Sequence, residues 1–310
     1  MKEEEVVISI LTVQGLVQGV GFRPFIYRIA NEMGICGEVD NRNNGVCIRA
    51  VLTLGQRELF IERIRREHPV VASIHRITVS ERIEAKNPYT DFRITPSHSE
   101  SDEVTQVAPD IAVCPECLRD RKTQPHRLQY PFINCTHCGP RFSIIRDLPY
   151  DRGQTTMSAF PMCPACRKEY TTVSDRRFHA EPVACNHCGP SYYTLYNKVK
   201  VTDYPELLDL SSRLLREGEV IAAKGIGGYH LICDAKNEKA VSRLREIKQR
   251  DGKPFAVLFR DMENIRRYVF LNEVEEESLL SWRRPIVLLK QRRPLAPSIN
   301  PGMETLGCML

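Results

Sequence analysis

Four C-x-x-C pairs, Cys114/Cys117, Cys135/Cys138, Cys163/Cys166 and Cys185/Cys188, constrain this chain more than any other feature. They hold eight of its twelve cysteines and are separated by 17, 24 and 18 residues. A C-x-x-C turn aims two sulfurs at one point, and a second pair completes a tetrahedral set of soft ligands suited to zinc. Two such sets leave no open coordination position, so they predict two structural zinc ions. A disulfide framework is the alternative, and it would require an oxidising compartment. Sequential pairing (Cys114/Cys117/Cys135/Cys138, then Cys163/Cys166/Cys185/Cys188) is favoured. Spacing alone leaves interleaved pairing open.

The segment is also an internal duplication. PFINCTHCGPRF at 131–142 parallels PVACNHCGPSYY at 182–193, and Cys114-Pro-Glu-Cys117 parallels Cys163-Pro-Ala-Cys166. One zinc ribbon copied once explains both similarities. His137, His179 and His187 lie in or near the second pair of each copy and are read as polar neighbours, since the cysteines already complete both sets.

Charge argues against nucleic acid. Between residues 114 and 188, eleven basic and seven acidic residues leave +4. Two ions, each in four thiolates, return the segment to about zero. A nucleic-acid footprint carries a clear positive excess. The formal charge of the whole chain, +5, falls to about +1 on the same reckoning. With 42% hydrophobic and 27% charged residues, the 310 residues are expected to form two or three globular domains. No apolar run approaches the roughly 20 residues needed to cross a bilayer, so no membrane partner is expected. The acidic start, Met1-Lys2-Glu3-Glu4-Glu5, lacks a signal peptide's apolar core. A cytoplasmic location follows and agrees with reduced thiols. Cys36, Cys47, Cys233 and Cys308 are scattered singly and read as small buried residues.

The first 95 residues alternate in type. Val6–Val13 reads as a strand, Pro24–Met33 as a helix, Gly37–Asn41 and Val46–Leu52 as paired strands, Glu58–His68 as a helix and Ile74–Ile83 as a strand. This βαββαβ order predicts a ferredoxin-like sandwich. Between the first strand and helix lies Gln18-Gly19-Val20-Gly21-Phe22-Arg23. A glycine-bearing turn opening a helix directs backbone N–H groups at one point, and the helix dipole favours an anion there. Arg23 adds a planar fork suited to phosphate oxygens. By itself the motif is equally well a tight turn beside a solvent-exposed arginine.

Polar residues 96–107 mark one boundary, and Asn197–Asp203 a second. The expected domains are therefore 1–95, 104–196 and 200–310. In the last, helices at 205–217, 240–249 and 262–268 alternate with strands at 220–223, 255–259 and 285–289, an α/β pattern. Lys224-Gly-Ile-Gly-Gly is not a P-loop, since no Gly-Lys-Ser/Thr follows, and reads as a glycine turn between strands. Lys248, Arg250 and Lys253 are either a solvated helix end or a triphosphate clamp. The apolar Gly307-Cys-Met-Leu310 reads as the interior of a domain.

Val17-Gln-Gly-Val-Gly-Phe-Arg23 followed by Gly37-x-Val-x-Asn41 resembles the acylphosphatase signature. That resemblance implies loop amides and Arg23 holding an acyl phosphate, with Asn41 positioning the attacking water. Lys248-x-Arg250-x-x-Lys253-Pro254 is similar to the YrdC family, where this stretch lines a nucleotide groove. The family's further Ser-x-Asn motif is expected beyond residue 310, so only the N-terminal part of such a domain is expected here. The order acylphosphatase-like, paired C4 ribbons, then YrdC-like resembles the hydrogenase maturation carbamoyltransferase family HypF, with a one-residue departure in the first ribbon. The expected fold is thus α+β and multidomain. The family implies hydrolysis of carbamoyl phosphate, ATP-dependent adenylation of the carbamate with Lys224, Lys248, Arg250 and Lys253 at the nucleotide, and transfer to the C-terminal cysteine of HypE. A truncated, non-catalytic, zinc-stabilised protein-binding module is the other reading.

Overall fold

In the computed structural model, residues 6–98 and 105–310 are described. The acidic start and the middle of the first polar boundary lie outside them. The described residues separate into two units that meet at Pro190/Ser191.

The first unit opens with β1 (Val6–Leu16), whose alternation buries Ser9, Leu11 and Val13 on one face. Helix α1 (Phe22–Glu32) follows. Phe22, Phe25, Ile26, Ile29 and Ala30 recur at helical spacing and are all buried, as an apolar stripe facing a sheet requires. Then come β2 (Gly37–Arg42), β3 (Gly45–Val51), α2 (Leu54–Glu67) and β4 (Ser73–Glu84). The order β4-β1-β3-β2 is the expected sandwich, and β5 (Phe92–Ile94) extends it parallel to β2. This three-residue strand is too short to carry a readable alternation. Helix α2 starts four residues earlier than the apolar pattern suggests. Thr53 and Gln56 form a reciprocal capping box there, which satisfies donors that would otherwise be orphaned. The register Asn41↔Val46 sets Asn41 at the end of β2.

The cysteine-rich segment belongs to the same unit and has little regular structure. Its two short helices, α3 (Pro115–Thr123) and α4 (Pro164–Thr171), start identically. Cys114 or Cys163 is the N-cap and a proline follows at the first position, where its missing N–H is harmless. Three arginines, Arg127, Arg141 and Arg177, are almost completely buried here.

The second unit begins with a hairpin, β6 (Thr194–Tyr196) and β7 (Val199–Val201). Of residues 197–203, read from sequence as a boundary, 197–201 form its turn and second strand and Asp203 caps the helix that follows. Helix α5 (Tyr204–Arg216) ends at Gly218, whose φ of 86° suits glycine. Strands β8 (Ile221–Lys224) and β9 (Tyr229–Ile232) make the expected glycine-turn hairpin. After α6 (Glu238–Lys248), β10 (Ala256–Leu258), α7 (Met262–Tyr268) and α8 (Glu273–Leu280) comes β11 (Val287–Lys290). Strand β12 (Thr305–Met309) then inserts between β10, parallel to it, and β11, antiparallel. Val241, Ile265, Leu279, Leu289, Leu306 and Cys308 form the core. Cys47 and Cys308 are buried as expected, whereas Cys36 and Cys233 are only half-buried. Among the described residues no helix is long and apolar enough to cross a membrane.

Candidate functional site

The loop between β1 and α1 turns on Gly19 and Gly21, with φ of 70° and 79°, a region open to glycine at little cost. No described residue accepts a hydrogen bond from the backbone N–H groups of residues 18–22. Gln18 pins the loop from below, its amide donating to the carbonyls of Arg42 (2.6 Å) and Gly45 (2.8 Å). Gly45 is obligatory at that point: a Cβ there would lie 2.2 Å from the carbonyl oxygen of Val13.

The cysteine-rich segment covers this loop. A small cavity of about 20 Å³ is lined by Gly19, Gly21, Phe22, Arg23 and Asn41 from the sandwich. Arg141, Tyr150, His179 and Glu181 line it from the ribbons. Arg23 is 7% exposed, not the solvent-facing arginine of the bland reading. Its Nη2 pairs with Glu181 Oε1 at 2.7 Å and Asp151 Oδ1 at 2.8 Å. Burial pulls the guanidinium down, but the two carboxylates outweigh it and leave the group raised. Glu181 is pushed up by burial and held down by Arg23. Its oxygens also accept from Arg152 N (3.0 Å) and the Tyr170 hydroxyl. That donor shell is one built for a carboxylate. His179 is lowered to about 4, first by burial and then by Arg23.

Asn41 donates through Nδ2 to the Tyr150 carbonyl at 3.0 Å. Its Oδ1 is buried and has no hydrogen-bond partner among the described residues. Tyr150 N in turn donates to Gln18 Oε1 at 2.9 Å. Arg141 donates through Nε to the Gly19 carbonyl. Its other nitrogens hold the carbonyls of Cys135, Thr136, Cys138 and Pro140. One arginine thus ties the second cysteine pair to the glycine loop. Sequence reasoning missed it, along with Tyr150, Asp151 and Glu181. A signal for Arg141 existed: it follows Cys-Gly-Pro in the first copy, and Ser191 takes that place in the second. A wider cleft of about 620 Å³ along α1, lined by Tyr27, Arg28, His137 and Arg176, shares Gly21, Pro24 and Thr136 with the cavity.

The cysteines form two sequential clusters. Sulfurs of Cys114, Cys117, Cys135 and Cys138 lie within 4.8 Å of one another, as do those of Cys163, Cys166, Cys185 and Cys188. Neighbouring pairs are 3.6–3.9 Å apart. Tetrahedral zinc–sulfur bonds of about 2.3 Å would set sulfurs roughly 3.8 Å apart, so the donor sets fit that ion. Arginines partly offset the thiolates: Arg127 Nη2 reaches Cys166 Sγ at 3.3 Å, and Arg176 Nη1 reaches Cys117 Sγ at 3.8 Å. Between them, Glu169 pairs with Arg127 and Arg177, and Asp120 with Arg177 and Arg176. An alternating ladder of charges therefore runs from one cluster to the other.

In the second unit, Lys248 ends α6 and Arg250 and Lys253 lie on the turn between α6 and β10, while Lys224 ends β8 with its ammonium over the Tyr229 ring. Arg250 donates to the carbonyls of Lys253 and Pro254. Arg245, which sequence reasoning passed over, holds the carbonyls of Arg250, Asp251 and Lys253.

The acylphosphatase profile matches residues 10–94, the HypF finger profile 113–145 and 162–195, and the Sua5/YciO/YrdC profile, described as telomere recombination, 213–310. The carbamoyltransferase HypF of Rhodobacter capsulatus is 43% identical over 97% of this chain and 40% of its own length. A full-length HypF crystallised in a phosphate- and nucleotide-bound form superposes with a TM-score of 0.90 at 44% identity, over 98% of this chain and 40% of that one. The HypF of T. kodakarensis gives 0.84 at 42% identity, over 98% and 39%. The chain thus spans about two fifths of the length of these relatives. Through its acylphosphatase, HypF-finger and YrdC-type segments, this chain belongs to the HypF carbamoyltransferase family.

Proposed function

We propose that this chain carries the acyl phosphate-hydrolysing part of a carbamoyltransferase of [NiFe]-hydrogenase maturation, with carbamoyl phosphate as substrate. The observation that carries this reading is the shared cavity of Gly19, Gly21, Arg23 and Asn41. In the proposed reaction the unpaired amides of residues 18–22 and the Arg23 fork hold the phosphoryl oxygens. Asn41 Oδ1, a buried acceptor without a partner among the described residues, takes a hydrogen bond from the attacking water. The water oxygen bonds to phosphorus, the bond from phosphorus to the acyl oxygen breaks, and carbamate leaves with that oxygen. Positioning and charge stabilisation supply the rate, with no covalent intermediate. Asp151, the more exposed of the two Arg23 partners, yields its place to the phosphate.

Zinc in both cysteine clusters holds the ribbons over the loop and does no chemistry. The domains run 1–95, 104–196 and 200–310. In the whole enzyme, the YrdC-type segment adenylates carbamate with ATP, with Lys224, Lys248, Arg250 and Lys253 at the nucleotide. The carbamoyl group then passes to the C-terminal cysteine of HypE in the cytoplasm. Phosphate release from carbamoyl phosphate is the test. Wild-type chain should release it and Arg23→Ala should not; equal release from both would overturn the assignment. An inactive wild type that still captures HypE would favour a binding module instead.

A further inference from the structure

Tyr150 is 4% exposed and lines the cavity beside Gly19, Arg23 and Asn41. Its main chain is fixed at both ends, N–H to Gln18 and carbonyl to Asn41. Its ring packs where a side chain on Gly19 would otherwise go, with Cδ1 at 3.5 Å from that position. The Arg141 guanidinium lies 5.9 Å from the ring centroid. Yet the hydroxyl, fully enclosed, has no hydrogen-bond partner among the described residues. A buried hydroxyl left unpaired is costly and in native proteins has a reason.

Resting on the hydrolytic reading above, we propose that the Tyr150 hydroxyl is a substrate-binding group, donating a hydrogen bond to an oxygen of the acyl phosphate held at Arg23. The ribbons would then supply a ligand contact and not only a roof. Burial raises the hydroxyl to about 12, so it stays a donor at neutral pH, and Arg23, Arg141 and Glu181 all act on it. A rigid phenol carrying one donor beside the loop amides selects an oxyanion at a defined spot. The ligand reaches it from the cleft along α1, which shares Gly21, Pro24 and Thr136 with the cavity.

The 310-residue chain bearing Tyr150→Phe tests this. Inorganic phosphate affinity and kcat/KM for carbamoyl phosphate should each fall about ten- to a hundredfold, the range for a hydrogen bond to a charged group. Its melting temperature should hold or rise, because an unpaired hydroxyl has been removed. Tyr130 supplies the comparison: its hydroxyl is also buried and unpaired but does not line this cavity, so Tyr130→Phe should leave affinity and turnover unchanged. Wild-type affinity and turnover in Tyr150→Phe would overturn the inference, as would a lower melting temperature, which would reveal a protein partner for the hydroxyl. A wild-type chain that neither binds phosphate nor releases it would instead refute the hydrolytic reading, and this inference would fall with it.

Discussion

The guanidinium of Arg23 and the carboxylate of Glu181 meet at 2.7 Å across 158 residues of chain, both nearly inaccessible to solvent. Breaking such a pair by removing one member leaves the other charge buried alone, at about 3–5 kcal/mol. Arg23→Ala should therefore be destabilised by that amount in urea unfolding as well as inactive. Adding Glu181→Gln should recover most of the stability and none of the phosphate release. Recovery of both would mean that Arg23 only neutralises Glu181.

Asp151 sits on the same Arg23 nitrogen, 2.8 Å away, with its side chain 30% exposed. An incoming phosphate competes with it for the guanidinium. Asp151→Asn removes the competing charge and should tighten phosphate binding several-fold, as read by calorimetry. Weaker binding would show that Asp151 assists the ligand.

The ribbons carry Tyr150, Arg141 and Glu181, so metal should matter to a reaction in which it plays no chemical part. Elemental analysis should find two zinc ions per chain, and one in Cys166→Ser. Chelation should abolish phosphate release together with the folded signal of the ribbons. Full activity in the metal-free chain would sink the composite site.

Gly189 abuts Tyr130: a Cβ on it would lie 1.9 Å from the phenolic oxygen. Gly189→Ala should cost about 1–3 kcal/mol by overpacking. Tyr130→Phe in the same chain should return much of that, a coupling that a double-mutant cycle measures directly.

His179, lowered to about 4 by burial and Arg23, is neutral in the fold and protonates near pH 6.5 when unfolded. The unfolded chain thus binds the extra proton, and stability falls as pH drops from about 6.5 towards 4. The loss approaches about 1.4 kcal/mol per pH unit within that window. His179→Asn, which tolerates the left-handed φ of 52° at this position, should flatten that slope. An unchanged slope would mean the proton is taken up elsewhere.

The parts legible from sequence were those written in local periodicity. Alternation gave β1, the i, i+3, i+4 stripe gave α1, and cysteine spacing gave both clusters. Strand β12 escaped because Gly307, in its centre, breaks the pattern; it lies against Ile286 and Ala256. Helix α8 escaped because Glu273, Glu275, Glu276 and Glu277 leave Leu279 as its one buried residue. The candidate site was half legible: Arg23 and Asn41 lie in a recognisable stretch. Their partners Glu181 and Tyr150 do not, because pairs 158 and 109 residues apart form only once the ribbons fold onto the loop.

The position of residues 150 and 181, far downstream of the glycine loop, fixes an order of events during synthesis. The ferredoxin-like sheet leaves the ribosome first, with its arginine still in water and its roof unmade. On the proposed hydrolytic reading, turnover would then begin only after both cysteine clusters had taken up metal, so metal supply would govern when the pocket starts to consume its substrate.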